Sequence, residues 1–244
     1  MSKTIVFLTG WATDQKIWRP LFSSLSKDLS VKQVSWSNLH SSQDIDKRVV
    51  ELITNLNPSD SVTLVGWSLG SITALKAASI YQDKIDQVIL FSSTPRFLKD
   101  AASDLPFGWT KKSLEAMKDN LALNQGKTLA SFYQKMFTKK EREMPFFESF
   151  IEEYTPRSLR QQDLQLGLDY LMETDIRDSL HNIKKPTHII HGKQDKIISI
   201  HAGKWLLNKL SNSTFHQIDS GHLPFFTKSH QCAEILLQAL HKEV

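Results

Sequence analysis

The sequence predicts an α/β fold, a mainly parallel sheet with helices on both faces and an inserted helical cap. Three observations carry that reading. Short apolar runs alternate with segments of helical spacing, the pattern of repeated βαβ units. The runs are rich in Val, Ile and Leu without strict polar alternation, as strands buried on both faces are. Between about residues 95 and 184 the strand signals stop and helical periodicity takes over.

Taken in order, the first strand is read from TIVFLTG (4–10) and the second from VKQVSW (31–36). Ile45, Val49, Leu52, Ile53 and Leu56 then repeat at three and four residues, a helix face, with SSQD just upstream as its N-terminal cap. SVTLVGW (61–67) is the third strand, LGSITALKAA the helix after it, and QVILFSS (87–93) the fourth strand. Leu, Met and Phe at amphipathic spacing fill the next stretch, with turns expected at Pro106-Phe107-Gly108, Pro145 and Pro156. Strands resume with THIIHG (187–192) after IKKP and end with TFHQIDS (214–220). The expected division is therefore a core of residues 1–94 and 185–244 and a helical cap of 95–184. No internal repeat or low-complexity segment stands out.

Composition narrows the function classes. With 40% hydrophobic and 23% charged residues in 244, the chain reads as a folded globular protein. No apolar run approaches the roughly 20 residues of a membrane span, and MSKTIVFLTGWA reads as a strand, not a signal peptide. The single cysteine, Cys232, rules out an internal disulfide and a cysteine cluster for zinc. Its place in CAEILLQAL makes it a buried spectator, and a reduced cytoplasmic setting is expected. A net charge of +4 without an arginine-rich arm points away from nucleic acid. A monomer without metal or organic cofactor is expected.

The chemistry gathers at GWSLG. Strand, then Ser68, then helix is the context that gives a serine between two glycines its meaning. The turn is so sharp that side chains at Gly66 and Gly70 would collide with the neighbouring helix and strand. It lifts the hydroxyl above the C-terminal edge of the sheet and leaves the Leu69 N–H in the first helical turn, free for a developing oxyanion. A hydroxyl needs a base, and the base an orienting acid. Of nine histidines, His222 in IDSGHLPFF follows the last strand on a small-residue turn at the same edge. His188 and His191 lie in a strand and read as structural; the others have no supporting context. For the acid, Asp195 stands three residues past Gly192 in the loop after a buried strand, with Asp219, Asp169 and Asp175 as rivals. The loop after the first strand offers the Trp11 N–H as a second oxyanion donor. Trp11 and Trp67 are expected to flank the serine, with plain core filler the lesser alternative for either indole.

The set TGWATDQKIW, GWSLG, GKQD and SGH resembles the α/β-hydrolase superfamily across essentially the whole chain. More narrowly it resembles the pimeloyl-acyl-carrier-protein methyl ester esterases of biotin synthesis. The features that carry this are Trp11 with Trp18, the GWSLG pentapeptide, Ser92, Ser93, Pro95 and Phe97 after the fourth strand, and DIR at 175–177. The resemblance implies a serine carboxylesterase in which Ser68, His222 and Asp195 act together and Phe132 lines the acyl pocket. It also implies an ester substrate carried on an acidic acyl-carrier protein. Lys127, Lys135, Lys139, Lys140 and Arg142, against Glu141, would form the docking rim, although a solvated helical face looks the same. Departures from the family are Thr9 in place of histidine, SWSNLHSS in place of a glycine-rich turn, and Met136 in place of a pocket glutamine. The first strand here matches the family's third, so the family's N-terminal hairpin is not expected. A general short-chain carboxylesterase and a non-catalytic ligand-binding protein on the same fold remain alternatives.

Overall fold

The computed structural model describes residues 3–23, 25, 29–57, 59–154 and 159–241; the turn expected at Pro156 lies outside them. β1 (Lys3–Leu8) is followed by a 3₁₀ turn (Gln15–Trp18) and the short α1 (Arg19–Phe22). Then come β2 (Ser30–Val34), α2 (Asp44–Thr54), β3 (Ser61–Trp67), α3 (Leu69–Ile80) and β4 (Gln87–Phe91). Next stand α4 (Lys111–Met136), α5 (Lys139–Arg142), α6 (Phe146–Glu153) and α7 (Gln161–Glu173). A 3₁₀ turn (Arg177–Asn182) leads to β5 (Thr187–Gly192), α8 (Ile200–Lys209), β6 (Ser213–Ile218), α9 (Pro224–Thr227) and α10 (Ser229–His241).

The six strands form one sheet in the order β2-β1-β3-β4-β5-β6, every pair parallel. Four of them end two residues before the apolar run that announces them. Thr9-Gly10, Ser35-Trp36, Ser92-Ser93 and Asp219-Ser220 are loop, not strand. Their apolar and small character persists because these loops are packed into the C-terminal edge of the sheet. Chain direction across the sheet reverses between β1 and β3, and ligands of open α/β sheets bind outside the strand ends at such a point.

Ile5 to Leu8 are all fully buried, so both faces of the sheet are covered. Phe7 meets Trp18 and Phe22 on one face, and Phe225 stacks on Trp18 at 4.4 Å and touches Trp67 and Phe91. The other face receives α3, which lies so close that a Cβ on Gly66 would be 2.4 Å from the Gly70 carbonyl. Cys232 is buried, which pushes its thiol up to about 12 and makes it inert at neutral pH.

One local expectation needs refinement and one correction. The N-cap of α2 falls within SSQD, at Gln43, but Gln43 makes no side-chain bond. Instead the Asp44 carboxylate reaches back to the N–H groups of His40 (2.7 Å) and Ser41 (3.1 Å), negative charge that also suits a helix N-terminus. Nor is the segment from 95 helical from its start. Residues before α4 run irregularly and are held by bridges of Arg96 with Asp175 and Leu98 with Trp109, around Gly108 at φ 137°. Among the described residues no helix is long and apolar enough to cross a membrane.

Candidate active site

Ser68 joins β3 to α3 with φ 55° and ψ −117°, a conformation that costs a non-glycine residue about 1–3 kcal/mol. It persists because its neighbours over-determine it. The Ser68 N–H donates to the Phe91 carbonyl at 3.1 Å, and its own carbonyl accepts from the Ser71 N–H at 2.9 Å and the Ser71 hydroxyl at 2.6 Å. The glycines on either side are demanded by contact. A Cβ on Gly70 would lie 2.2 Å from the Leu8 carbonyl, and one on Gly66 would strike α3.

His222 leaves the turn after β6 with its peptide group clamped on both sides. Its N–H donates to the Met136 carbonyl (2.7 Å), and its carbonyl accepts from the Trp67 indole (2.9 Å) and the Ser92 hydroxyl (3.1 Å). Nδ1 stands 2.8 Å from Asp195 Oδ2. A carboxylate only accepts, so Nδ1 carries the proton and Nε2 presents a lone pair. Nε2 is buried and has no hydrogen-bond partner among the described residues. The Ser68 hydroxyl has therefore not closed on it, as is common before substrate binds. The two residues are close neighbours all the same: Ser68 is held by Phe91, His222 by Ser92, the next residue along.

Asp195 is held as firmly. Its Oδ1 accepts from the N–H groups of Ile197 (2.8 Å) and Ile198 (2.9 Å), and Oδ2 has a second imidazole, His191 Nε2, at 3.4 Å. Burial works to raise this carboxyl, but attraction to His222 and hydrogen bonds from His191 and His222 outweigh it. The net effect holds Asp195 well below the usual carboxylate range. His191 also donates through Nε2 to the Ile198 carbonyl at 3.0 Å, so the histidine read as structural buttresses the acid. The rival carboxylates are engaged elsewhere: Asp219 with Gln194, Asp169 with Lys118, and Asp175 with Arg177 and Arg96.

Among the described residues the Trp11 N–H makes no turn or loop backbone bond, and Leu69 is the first residue of α3, where an N–H has no intrahelical acceptor. Trp11 follows Gly10 and precedes Ala12 at φ 60°, and its indole donates to the Leu164 carbonyl at 2.8 Å. Trp11, Phe97, Trp109, Phe132, Leu168 and Ile197 enclose an apolar cavity against Ser68. Phe132 meets Trp11 edge-on at 4.8 Å. The cavity has room for only about 10 Å³, one water's worth. Beyond it, sharing Trp109, Met117 and Phe132, opens a groove of about 620 Å³ along α4 that Lys127 and Lys135 also line. Trp67 is not among the cavity's lining residues. It points to the opposite face of the sheet, and its indole braces His222 from behind.

Several residues of this arrangement escape a sequence reading. Glu141, the acid amid the lysines, is buried and accepts from the Thr138 and Gly221 N–H groups. Tyr133 donates to the Ala12 carbonyl at 2.6 Å. Asp163 accepts from the N–H groups of Asn38 and Leu39, in the segment that replaces the glycine-rich turn, and is paired with Arg160. Only Glu141 carries a readable signal, the Thr-x-x-Glu spacing of a capping box, which α5 does form.

A serine on a strained strand–helix turn, with a carboxylate-held histidine on a neighbouring loop, defines a hydrolase-type site on a doubly wound sheet. The family profile of the α/β hydrolase fold matches residues 3–229, and the chain belongs to that family. Among curated relatives, it is 29% identical over 231 residues to the pimeloyl-acyl-carrier-protein methyl ester esterase of Nitrosomonas europaea, covering 91% of this chain and 90% of that one. The protein of the same name from Aromatoleum aromaticum is 26% identical over 95% of this chain and 96% of its own length. Among solved structures, a hydrolase from Oleispira antarctica superposes with a TM-score of 0.85 at 18% identity, covering 100% of this chain and 92% of that one. An enol-lactonase from Burkholderia xenovorans gives 0.84 at 17% identity, over 99% and 92%.

Proposed function

We propose that this chain is a serine carboxylester hydrolase whose substrate is the methyl ester of a pimeloyl chain carried on acyl-carrier protein. The observation that carries the chemistry is the Asp195–His222 pair at 2.8 Å, with Nε2 unpartnered on the loop that neighbours the Ser68 turn. In this reading Ser68 Oγ attacks the ester carbonyl and passes its proton to His222 Nε2. The Trp11 and Leu69 amides receive the oxyanion, and Asp195 steadies the imidazolium. His222 returns the proton to methanol as it leaves, then takes one from the water that hydrolyses the acyl-enzyme. The substrate follows from likeness to relatives of that name over nine-tenths of both chains. The cations on α4 and α5 suit an acidic carrier.

In the same reading residues 95–184 cap a core of 1–94 and 185–244, and the enzyme works as a cytoplasmic monomer. A second reading, a general short-chain carboxylesterase, is favoured by the narrow cavity beside Ser68. Assaying p-nitrophenyl esters of rising chain length beside the carrier-linked pimeloyl methyl ester separates the two. A kcat/KM far higher on the carrier-linked ester is expected; equal values on free pimeloyl methyl ester would support the second. Serine-directed phosphonate should label Ser68, and Ser68→Ala should lose about three to six orders of magnitude in kcat. Full turnover by that variant would end both readings.

A further inference from the structure

α5 spans only four residues, Lys139–Arg142, yet its two sides do different things. Lys139, Lys140 and Arg142 are exposed, whereas Glu141 turns inward and is 8% exposed. Its carboxylate accepts from the Thr138 N–H at 2.7 Å and from the Gly221 N–H through both oxygens, at 3.2 and 3.1 Å. Gly221 immediately precedes His222, whose own N–H is taken by the Met136 carbonyl five residues before Glu141. Two successive amides of the histidine loop are therefore held by one short stretch of the α4–α5 connection. Within that stretch the anchor at Gly221 is a buried carboxylate, a stronger acceptor than a neutral oxygen. On the far side, a Cβ on Gly192 would lie 1.8 Å from the Gly221 carbonyl, so β5 leaves the loop no room to relax. A capping box alone needs only the Thr138 contacts, and nothing in helix capping requires the carboxylate to reach 80 residues along the chain.

We infer that Glu141 is a positioning residue for His222, fixing the Gly221–His222 peptide so that the imidazole keeps its seat between Asp195 and Ser68. The inference rests on the proposed hydrolase reading. It acts through the backbone, and Glu141 touches no reacting atom. Because the same turn presents three cations outward, an anion docked on them bears on the element that holds the histidine.

The test compares wild type, Glu141→Ala and Glu141→Gln on a small p-nitrophenyl ester. The alanine variant should lose about 10- to 100-fold in kcat with KM within about twofold, the signature of lost positioning, not lost binding. Glutamine keeps one acceptor for Gly221 and should restore at least part of the kcat. The second readout is the low-field proton resonance of His222 Nδ1–H, expected to broaden or move upfield in the alanine variant and to recover with glutamine. An alanine variant that folds with kcat within twofold and an unchanged resonance overturns the inference. So does a loss confined to KM. If alanine does not fold, Glu141→Met decides, since it keeps most of the side-chain volume and offers no carboxylate to Gly221: a folded variant with kcat within twofold or an unchanged resonance overturns the inference, and a reduced kcat with a moved resonance supports it. A wild type that neither hydrolyses esters nor reacts with phosphonate would fail the hydrolase reading first, a result distinct from failure at Glu141.

Discussion

Gly221→Ala should cripple the enzyme without touching any group that does chemistry. A Cβ there would stand 2.4 Å from the Met136 carbonyl, 3.0 Å from Glu141 Oε2 and 3.2 Å from the Phe137 Cα. Reaching ordinary contact with the Met136 carbonyl requires a retreat of about 1 Å. The loop cannot supply it by moving back, since Gly192 already fits against the Gly221 carbonyl with no space for a methyl group. The strain must go into the α4–α5 connection or into the loop itself. Either course stretches the 2.7 Å bond from His222 N–H to Met136. Overpacking of this kind costs about 1–3 kcal/mol, and each kcal/mol lowers Tm by about 2–4 °C in a chain of this size. A displacement of about 1 Å in a catalytic group costs on the order of 100-fold in rate. The variant should therefore melt a few degrees lower, yet at 25 °C remain folded by circular dichroism with kcat/KM for p-nitrophenyl acetate down about 100-fold. A folded variant within threefold of wild type would refute the claim that the clamped peptide sets the histidine's position.

Three further outcomes are expected. Asp195→Asn should keep the fold and lower kcat by about 10⁴, as the wrong histidine tautomer is favoured; near-silence there, measured beside Asp169 and Asp175 variants, would move the acid elsewhere. Reversing Lys139, Lys140 and Arg142 to glutamate should raise KM for a carrier-linked ester at least tenfold, or about 1.4 kcal/mol, and leave a small free ester unchanged. Lys135 is spared in that variant because its ammonium sits 5.6 Å over Trp109 of the cavity wall. Asp163→Asn should cost about 1–3 kcal/mol at neutral pH. Burial works to raise the Asp163 carboxyl, but Arg160 and the Leu39 and Asn38 N–H groups hold it below its ordinary value. Its contribution is thus complete above the unfolded value near 4 and fades as pH falls through the lower folded one. The gap in Tm between variant and wild type should close below about pH 4.

What could be read in advance follows a physical divide. The Ser68 turn and the Asp195–His222 contact are legible as candidates because each residue sits on a local signal: a glycine-flanked strand–helix turn or a small-residue turn after a buried strand. The strands were legible for the same reason, and their overrun by two residues shows where apolar character serves the site instead of the sheet. The long-range contacts of Glu141, Tyr133, Asp163 and Met136 are not, since those partners lie 80 or more residues away in the chain and no periodicity encodes such a pairing. Trp67 shows the opposite failure. Sequence adjacency to Ser68 suggested the pocket, whereas strand alternation sends its side chain to the face of Phe7 and Phe91, under the histidine.

The polar contacts of the α4–α7 segment also decide how a substrate can enter. Tyr133 holds the Ala12 carbonyl, Leu164 holds the Trp11 indole, and Asp163 holds the two amides after β2. Met136 and Glu141 hold the histidine loop. Lifting the whole segment as a rigid lid would break all of these together. With three bonds to neutral acceptors and three to carboxylates, the cost is on the order of 6–13 kcal/mol, comparable to the entire stability of a domain. It would also release the Trp11 loop and the His222 loop together. Rotating a side chain to an off-minimum conformer costs about 0.5–1.5 kcal/mol. Trp109, Met117 and Phe132 form the wall shared by the narrow cavity and the open groove. The Trp109 indole is held by the Ile197 carbonyl at 2.8 Å, so admission of an acyl chain is a matter of Met117 and Phe132 turning aside, with α4, which carries both, remaining seated.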